Sequence, residues 1–301
     1  MLFRAAALSL LLFPIAAQEP STSFRVDSSL VVIPVSVTDK TNRYVLGLDK
    51  DNFQIIEDGT KQTISHFSSE DAPLSIGLIV DISGSIGSEL ETSRRAASEF
   101  LKTLNKGDEV FLVECSDQAQ VAIHFTHDAA EINSKLKTAT TGGLTALLDA
   151  VRLGIDEMKT AQNPRKALLV ISDGGDNNSR YTSQQVEDLV RQADVQIFAM
   201  GVFEPFTFGH AGAAELSGPR LLSEISEQTG GRALAASGSQ DLPGLASRIG
   251  LELRNQYVLA YSPANKERDG KFRHVQVMLK APEALPELKA RWRTGYFAPG
   301  Q

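Results

Sequence analysis

The sequence predicts an α/β protein with a doubly wound, mostly parallel sheet that has one antiparallel edge strand. A small β-sandwich, built from the N- and C-terminal segments, is expected to flank this sheet. Short, largely apolar segments at 75–80 and 167–171 are typical of strands buried on both faces. Segments of helical periodicity alternate with such strands between residues 73 and 254. The sequence on either side alternates apolar and polar residues, as half-exposed strands do.

Length and composition allow one domain of ordinary size and a smaller one. The chain has 301 residues, of which 42% are hydrophobic and 22% are charged, which is a globular composition. We expect an N-terminal β segment at 18–72, a central domain at 73–254 and a C-terminal β segment at 255–301 that packs with the first. The formal net charge of −7 argues against nucleic acid or anionic lipid as a partner.

The first 17 residues have the features of a secretory signal peptide. Arg4 supplies a positive charge, residues 5–13 are apolar, and residues 15–17 form a small-residue cleavage site. The alternative is an uncleaved membrane anchor, although the apolar run is shorter than the ~20 residues that a membrane span needs. We therefore expect an exported protein, periplasmic or secreted, with no membrane span after cleavage.

The single cysteine, Cys115, rules out an internal disulfide. It ends a strand pattern at 109–115, so we expect a buried, inert thiol, with an intermolecular disulfide after export as the alternative.

The N-terminal flank predicts four short strands. The clearest is 31–37, where Pro34 restricts the strand to a sheet edge or a bulge. A second strand at 51–57 ends in Asp58-Gly59, a hairpin signal, and 62–67 is predicted to return as its partner.

The central domain is predicted to alternate strands with helices. A four-residue link at 116–119 joins strands 109–115 and 120–125, which makes the second of them the antiparallel edge. The predicted helices are 87–104, 129–137, 144–161, 183–193, 218–229 and 242–254, and the other strands are 74–80, 165–172, 195–202 and 232–236. In the C-terminal flank, strands are expected at 255–262, 272–279 and 289–297.

The strand at 74–80 leads into a turn rich in oxygen atoms. Asp81, Ser83 and Ser85 alternate along this turn, and Gly84 allows it to be tight. Open α/β sheets bind ligands just beyond the carboxyl ends of their strands, which is where this turn lies. Carboxylate and hydroxyl oxygens suit Mg²⁺, Mn²⁺ or Ca²⁺ rather than zinc or copper.

The pattern Asp81-x-Ser83-x-Ser85 resembles the first loop of the metal-ion-dependent adhesion site of von Willebrand factor type A domains. Two later segments resemble the second and third loops of that site, in the same order. They are TGGLTAL at 141–147, with Thr145 in the ligand position, and LLVISDG at 168–174, which delivers Asp173. Leu144 departs from the family pattern, which leaves Thr141 as an alternative ligand.

This resemblance implies a metal site made of Asp81, Ser83, Ser85, Thr145 and Asp173. In the family, the hydroxyls bind the metal directly and the aspartates act partly through water. A divalent cation, with Mg²⁺ favoured and Mn²⁺ or Ca²⁺ possible, would stay electrophilic and accept an Asp or Glu carboxylate from a protein partner. The alternative is that the serines cap a helix and Asp173 caps a turn. The layout as a whole resembles bacterial exported proteins with such a domain between β flanks.

Several other polar residues allow two interpretations. Asp176 suggests a second metal or, more simply, a solvated turn. Asp149 either supports Thr145 or is an ordinary helix carboxylate. His124 and His127 suggest a metal pair, but no third ligand follows, which favours surface histidines.

The loop at 203–217 is long, aromatic and rich in glycine and alanine. It follows a strand and should emerge at the rim that carries the metal site. We therefore predict that it selects the partner, with Phe206, Phe208 and His210 as contacts, although a plain insertion is an equal alternative.

The function predicted from these residues is that of an exported, non-catalytic, metal-dependent protein-binding module. A structural or assembly factor of the cell envelope, in which the metal only stabilises the fold, is the alternative. A metal-dependent hydrolase is a third reading. It is disfavoured because the sequence lacks the G-x-S-x-G, H-E-x-x-H and P-loop motifs and an obvious general base.

Overall fold

The computed structural model describes residues 30–202, 213–280 and 287–300, with no side-chain placement for residues 88, 202 and 213–219. The predicted signal peptide and its cleavage site lie outside these ranges. Within them, no helix is both long and apolar enough for a membrane span.

Fourteen strands are assigned in the described ranges. They are β1 (Val31–Thr38), β2 (Phe53–Glu57), β3 (Thr60–Gln62), β4 (Ile64–Ser68), β5 (Leu74–Asp81), β6 (Glu109–Cys115), β7 (Ala119–Thr126), β8 (Arg165–Ile171), β9 (Gln196–Val202), β10 (Ala233–Ala236), β11 (Gln256–Tyr261), β12 (Phe272–Leu279), β13 (Lys289–Arg291) and β14 (Gly295–Phe297).

The same ranges contain six α-helices. They are α1 (Leu90–Leu101), α2 (Ala129–Thr138), α3 (Leu147–Glu157), α4 (Ser183–Gln192), α5 (Ala213–Gln228) and α6 (Leu242–Arg254).

A six-stranded sheet forms the centre of the molecule, in the order β10-β9-β8-β5-β6-β7. All neighbouring strands are parallel except β6 and β7, so the predicted antiparallel edge is present. All eight residues of β5 are buried because helices cover both faces of the sheet. Residues of β5 contribute alternately to two apolar clusters, one with α1 and α6 and one with α3 and α4. A side chain at Gly77 would lie 2.3 Å from Leu168 and Phe111, so this strand has no room for one there.

Three helices, α1, α3 and α5, begin at residues other than those predicted from the sequence. Helix α1 begins at Leu90 rather than at 87, because residues 87–89 form a single 3-10 turn. Helix α3 begins three residues later than predicted, and α5 begins five residues earlier. Helix α4 begins after Thr182, whose hydroxyl and the Gln185 side chain form a capping box.

The two flanks contribute strands to two further four-stranded sheets, β13-β1-β11-β4 and β14-β12-β2-β3. Strands β1 and β11 pair antiparallel, and so do β2 and β12, so each sheet joins the N-terminal segment to the C-terminal one. Buried residues of both sheets, including Ile33, Ile55 and Tyr257, belong to one apolar cluster.

The hairpin at Asp58-Gly59 is present, with positive φ at both residues (45° and 80°), as a tight two-residue turn requires. Its partner strand was predicted wrongly. Strand β3 (Thr60–Gln62) pairs with β2, whereas β4 (Ile64–Ser68) crosses to the other sheet and pairs with β11.

Two other flank predictions need correction. Strand β1 is not at a sheet edge, since it lies between β13 and β11. Pro34 is tolerated because β13 pairs only with Ser36, Val37 and Thr38, so the prolyl nitrogen needs no partner on that side. The single strand predicted at 289–297 is two strands, β13 and β14, in different sheets.

Tyr44 connects the N-terminal flank to a buried ion pair of the central domain. Glu252 on α6 is fully buried and binds the Arg232 guanidinium at 2.5 Å. The Tyr44 hydroxyl donates to the Glu252 carboxylate at 3.2 Å and lies within hydrogen-bond distance of the Arg248 carbonyl. Burial and the nearby Glu252 charge raise the pKa of Tyr44 to about 12. Tyr44 therefore fixes its loop to α6 in the protonated form.

Tyr44→Phe should lower the free energy of unfolding by roughly 1–2 kcal/mol at pH 8, because Glu252 loses a hydrogen-bond donor. The raised pKa sets the pH dependence. Stability from the protonated phenol is complete below pH 10, the ordinary pKa of a tyrosine in the unfolded chain, and is lost as pH rises towards 12. The measurement is urea unfolding of both proteins from pH 8 to 11.

Titration of the other four tyrosines affects the stability of both proteins alike, because both proteins contain them. The difference in stability should shrink above pH 10. A difference that stays constant from pH 8 to 11 would show that the phenol has an ordinary pKa.

Candidate metal centre

Asp81 ends β5 and is fully buried. One of its carboxylate oxygens, Oδ1, accepts the Ser83 backbone N–H at 2.9 Å. The other, Oδ2, accepts the Ser172 hydroxyl at 2.7 Å, from the residue that follows β8. Both oxygens are therefore oriented by the chain, one from the local turn and one from the neighbouring strand.

The two serines of the first loop lie side by side. Their hydroxyl oxygens are 3.0 Å apart, although Ser83 is buried and Ser85 is exposed. Two hydroxyl oxygens therefore lie together in the turn that follows Asp81.

Main-chain hydrogen bonds hold the second loop against the first. The Gly84 N–H donates to the Gly143 carbonyl at 3.0 Å, and the Gly142 N–H donates to the Ile82 carbonyl at 3.1 Å. Gly143 has a φ of +78°, and a side chain there would collide with the Asp117 carboxylate. The loop therefore requires glycine at this position.

Leu144 and Thr145 are in opposite environments. Leu144 is 48% exposed, and its N–H donates to Asp117 Oδ1 at 2.6 Å. Thr145 is 2% exposed, and its hydroxyl has no hydrogen-bond partner among the described residues. Thr141, the alternative ligand, is exposed. The extra leucine is accommodated by pointing outwards, which leaves Thr145 in the buried position.

The third loop is tied to the second. Asp173 follows Ser172, and its Oδ1 accepts the Gly175 N–H at 2.8 Å. Asn177 Oδ1 accepts the Thr145 N–H at 2.8 Å, and the Thr145 carbonyl accepts the N–H groups of Asn177 and Asn178, each at 3.0 Å. The three sequence-predicted loops therefore form one connected rim at the carboxyl ends of β5 and β8.

The rim concentrates negative charge. Burial raises the pKa of the Asp81 carboxyl, and the charge of Asp173 adds to the rise, against the hydrogen bonds from Ser83 and Ser172. Burial and Asp173 also raise the pKa of Glu89, just before α1. A positive charge placed here would be attracted by all three carboxylates.

Asp176 and Asp149 have structural partners. Asp176 Oδ1 accepts the Leu147 N–H at 2.9 Å and the Ser179 hydroxyl at 2.6 Å, and so caps α3 from a distant loop. Asp149 accepts the Arg180 N–H at 2.9 Å and binds the Arg180 guanidinium at 3.1 Å. These contacts favour the structural interpretation of both residues.

The two histidines contact different groups. His124 Nδ1 lies 2.8 Å from Glu157 Oε1, and His127 Nδ1 lies 2.6 Å from the Asp108 carbonyl oxygen. This arrangement gives no support to a histidine metal pair. Cys115 is a free, fully buried thiol, and burial raises its pKa.

Sequence analysis missed Ser172, Asp117, Asn177 and Glu89. Ser172 and Asn177 stand one residue before and four residues after Asp173, so the third loop itself was the signal for them. Asp117 is distant in sequence from the loop that it supports, and nothing local identifies it. The predicted partner contacts Phe206, Phe208 and His210 lie outside the described residues. The last residues of the predicted loop, 213–217, belong to α5.

The donor set fits a hard divalent cation. It consists of oxygens only, and the Thr145 hydroxyl and the second Asp173 oxygen are not used by hydrogen bonds within the described ranges. Those ranges contain no cluster of three or more His, Cys, Asp or Glu side chains that could hold a metal. Metal binding at this rim would therefore depend on the hydroxyls.

Comparison with known proteins gives a family match over part of the chain. A sequence model of the von Willebrand factor type A domain matches residues 76–175, a stretch that contains all three loops. An uncharacterized protein of Borreliella burgdorferi is 27% identical over 193 residues, which cover 57% of this chain and 55% of the relative. The chain thus spans about half the length of this curated relative.

Two solved structures show the same fold. A von Willebrand factor type A protein from Catenulispora acidiphila has a TM-score of 0.53 at 12% identity, covering 91% of this chain and 74% of that one. Proximal thread matrix protein 1 from the mussel byssus has a TM-score of 0.50 at 18% identity, covering 66% and 51%.

The six-stranded sheet defines the class of the central unit, an α/β domain in which three loops meet at the carboxyl ends of the strands. Residues 76–175 are thus similar in sequence to a von Willebrand factor type A domain, and the fold is similar to that of a solved protein of this type.

Gly143→Ala should destabilise the second loop by about 1–3 kcal/mol, because alanine is strained at φ +78° and its Cβ would lie 2.3 Å from Asp117. The measurement is the free energy of unfolding in urea.

Gly142→Ala is the matched control. Gly142 has no positive φ, and a Cβ there meets nothing within 4 Å, so its change should stay within about 0.5 kcal/mol. Equal effects at both glycines would contradict the described loop conformation.

Proposed function

We propose that this protein is an exported, non-catalytic binding module that engages a carboxylate of a protein partner through a divalent cation. Asp81, Ser83, Ser85, Thr145 and Asp173 are the proposed ligands, with Mg²⁺ as the favoured cation and Mn²⁺ or Ca²⁺ as alternatives. The observation that carries this proposal is the connected rim, in which main-chain hydrogen bonds bring three loops together around these oxygens.

Each ligand residue has a distinct proposed task. Asp81 is oriented by Ser83 and Ser172, and supplies charge from a buried position. The three hydroxyls supply neutral oxygens, so few carboxylates neutralise the cation. A divalent cation bound there would provide a Lewis-acidic position for an Asp or Glu of another protein. Ser85, being exposed, lies on the side from which that partner would approach.

The non-catalytic part of the proposal has one specific competitor. Glu89 is a carboxyl beside Asp173 with a raised pKa, which is what a general base in a metal-dependent hydrolase would require. Turnover of p-nitrophenyl esters or phosphates in Mg²⁺ or Mn²⁺ by the native chain, and its loss in Glu89→Gln, would overturn the binding-module proposal.

We further propose that the two four-stranded sheets form a small β-sandwich that carries the central domain, and that residues 1–17 direct export. The sandwich is supported by strands of both flanks in each sheet and by one apolar cluster that contains buried residues of both sheets. The second candidate function, a structural or assembly factor of the cell envelope, predicts that the cation serves the fold alone.

Calorimetric titration of residues 18–301 with Mg²⁺, Mn²⁺ and Ca²⁺ should show one saturable site. Thr145→Val keeps the shape of the side chain but removes a ligand oxygen, and should weaken binding by about 1–3 kcal/mol, at least several-fold. Asp81→Ala and Asp173→Ala should abolish it.

Thr141→Val is the control, because Thr141 is exposed and precedes the glycines. It should bind as the native chain does. Weaker binding in Thr141→Val than in Thr145→Val would reverse the assignment of the threonine ligand.

Thermal and urea unfolding separate the two candidate functions. For a binding module, cation at 100 times its dissociation constant should add about 2.7 kcal/mol to the free energy of unfolding. The protein should remain folded when a chelator removes the cation. A chain that unfolds on chelation at 25 °C would favour the structural role instead.

A further inference from the structure

A second cavity lies at the opposite end of the central sheet from the candidate metal centre. Its volume is about 410 Å³, within the range of small-molecule sites. The amino ends of β8 and β9 meet β1, β12 and β14 around it. It therefore forms at the junction of the central domain and the flanking sheets.

One wall of this cavity is aromatic. The rings of Phe272 and His274 are 4.9 Å apart at an interplanar angle of 78°, and those of Phe272 and Phe297 are 5.1 Å apart at 70°. The pairing of β12 with β14 fixes this group, since Phe272 lies opposite Phe297 and His274 opposite Gly295. Phe297 is 37% exposed although it is a large apolar residue. A flat ring could add to this edge-to-face group at little conformational cost.

The remaining polar lining is mainly cationic. Four positive side chains and one carboxylate line the cavity, a formal charge of +3 with His274 neutral, in a chain of net charge −7. The positive residues are Arg165, Lys166, Arg191 and Arg293, and the carboxylate is Asp194. This sign is opposite to that of the metal rim.

Neighbouring acids neutralise part of this charge. Arg191 lies 3.5 Å from Glu187 and 3.4 Å from Asp188, and Arg293 pairs with Asp194. Arg165 is 5% exposed and lies 3.6 Å from the Asp71 carboxylate, although its Nε donates to no acceptor among the described residues.

The positive charge of Lys166 is the one least neutralised by nearby carboxylates. Its ammonium contacts the Met158 carbonyl at 3.4 Å and forms no ion pair within the described ranges. Lys166 is therefore the main free charge of the wall.

We propose that this cavity binds an aromatic organic anion, a flat ring that carries a carboxylate or sulfonate. The ring packs against Phe272, His274 and Phe297, and the acidic group pairs with Lys166 and Arg293. This site does not depend on the candidate metal centre, which lies at the other end of the sheet.

Two dyes with the same aromatic skeleton test the proposal. 1-Anilinonaphthalene-8-sulfonate carries the anion, and N-phenyl-1-naphthylamine lacks it. Fluorescence titration of residues 18–301 should give one saturable site for the sulfonate, with the neutral dye at least about tenfold weaker. Near-UV circular dichroism confirms that the chain is folded, since the sulfonate dye also binds partly unfolded proteins.

Variants of the wall separate charge from shape. Lys166→Met should lower the affinity for the sulfonate dye about tenfold and leave the affinity for the neutral dye unchanged. Lys166→Arg keeps the charge and should bind the sulfonate dye as the native chain does. Asp194→Asn should raise the affinity for the sulfonate dye, because Arg293 loses its carboxylate partner. Lys159→Met is the control, since Lys159 is an exposed lysine paired with Asp156 and does not line the cavity.

Three results would overturn the proposal. They are equal affinity for the two dyes, unsaturable binding of the sulfonate, and equal effects of Lys166→Met and Lys159→Met.

Discussion

The buried carboxylate of Asp81 is the contact on which the arrangement of the candidate metal centre depends. It joins the ends of two central strands, because Ser83 donates from the turn after β5 and Ser172 donates from the end of β8. Burying a carboxylate is unfavourable, and the pKa of Asp81 is raised accordingly. The two hydrogen bonds offset only part of that cost. A fold selected for stability alone would be expected to place an apolar residue here, so the carboxylate is better explained by a task at the rim.

Sequence patterns predicted the central sheet well because its strands are buried on both faces. Nearly continuous apolar runs such as 75–80, bounded by turn signals, are typical of strands buried on both faces. The three loops could also be predicted, since their residues follow those strands directly. Failures occurred where a distant residue decides the local structure. Helix α3 begins at Leu147 because Asp176 caps it there, and the sequence around Leu144 does not contain that information.

The flanking sheets show a different limit of sequence reasoning. Alternation of apolar and polar residues identifies a strand but not the sheet to which it belongs. The sequence predicts one return strand at 62–67, yet β3 and β4 lie in different sheets. The same happened at 289–297, where Trp292 donates its indole N–H to the Val275 carbonyl between the two strands. The sheet that a strand joins depends on long-range packing, and the alternation of apolar and polar residues carries no information about that packing.

The charge of the rim makes partner binding and cation binding inseparable if the proposed function holds. Asp173 lies close enough to Asp81 and Glu89 to raise the pKa values of both. An acidic partner that approached these carboxylates alone would meet like charge in a partly buried setting, where repulsion is poorly screened. Attraction therefore requires a cation first. By linkage, partner binding must increase the affinity for the cation by the same factor by which the cation increases the affinity for the partner. The rim would then be one coupled site rather than two adjacent ones.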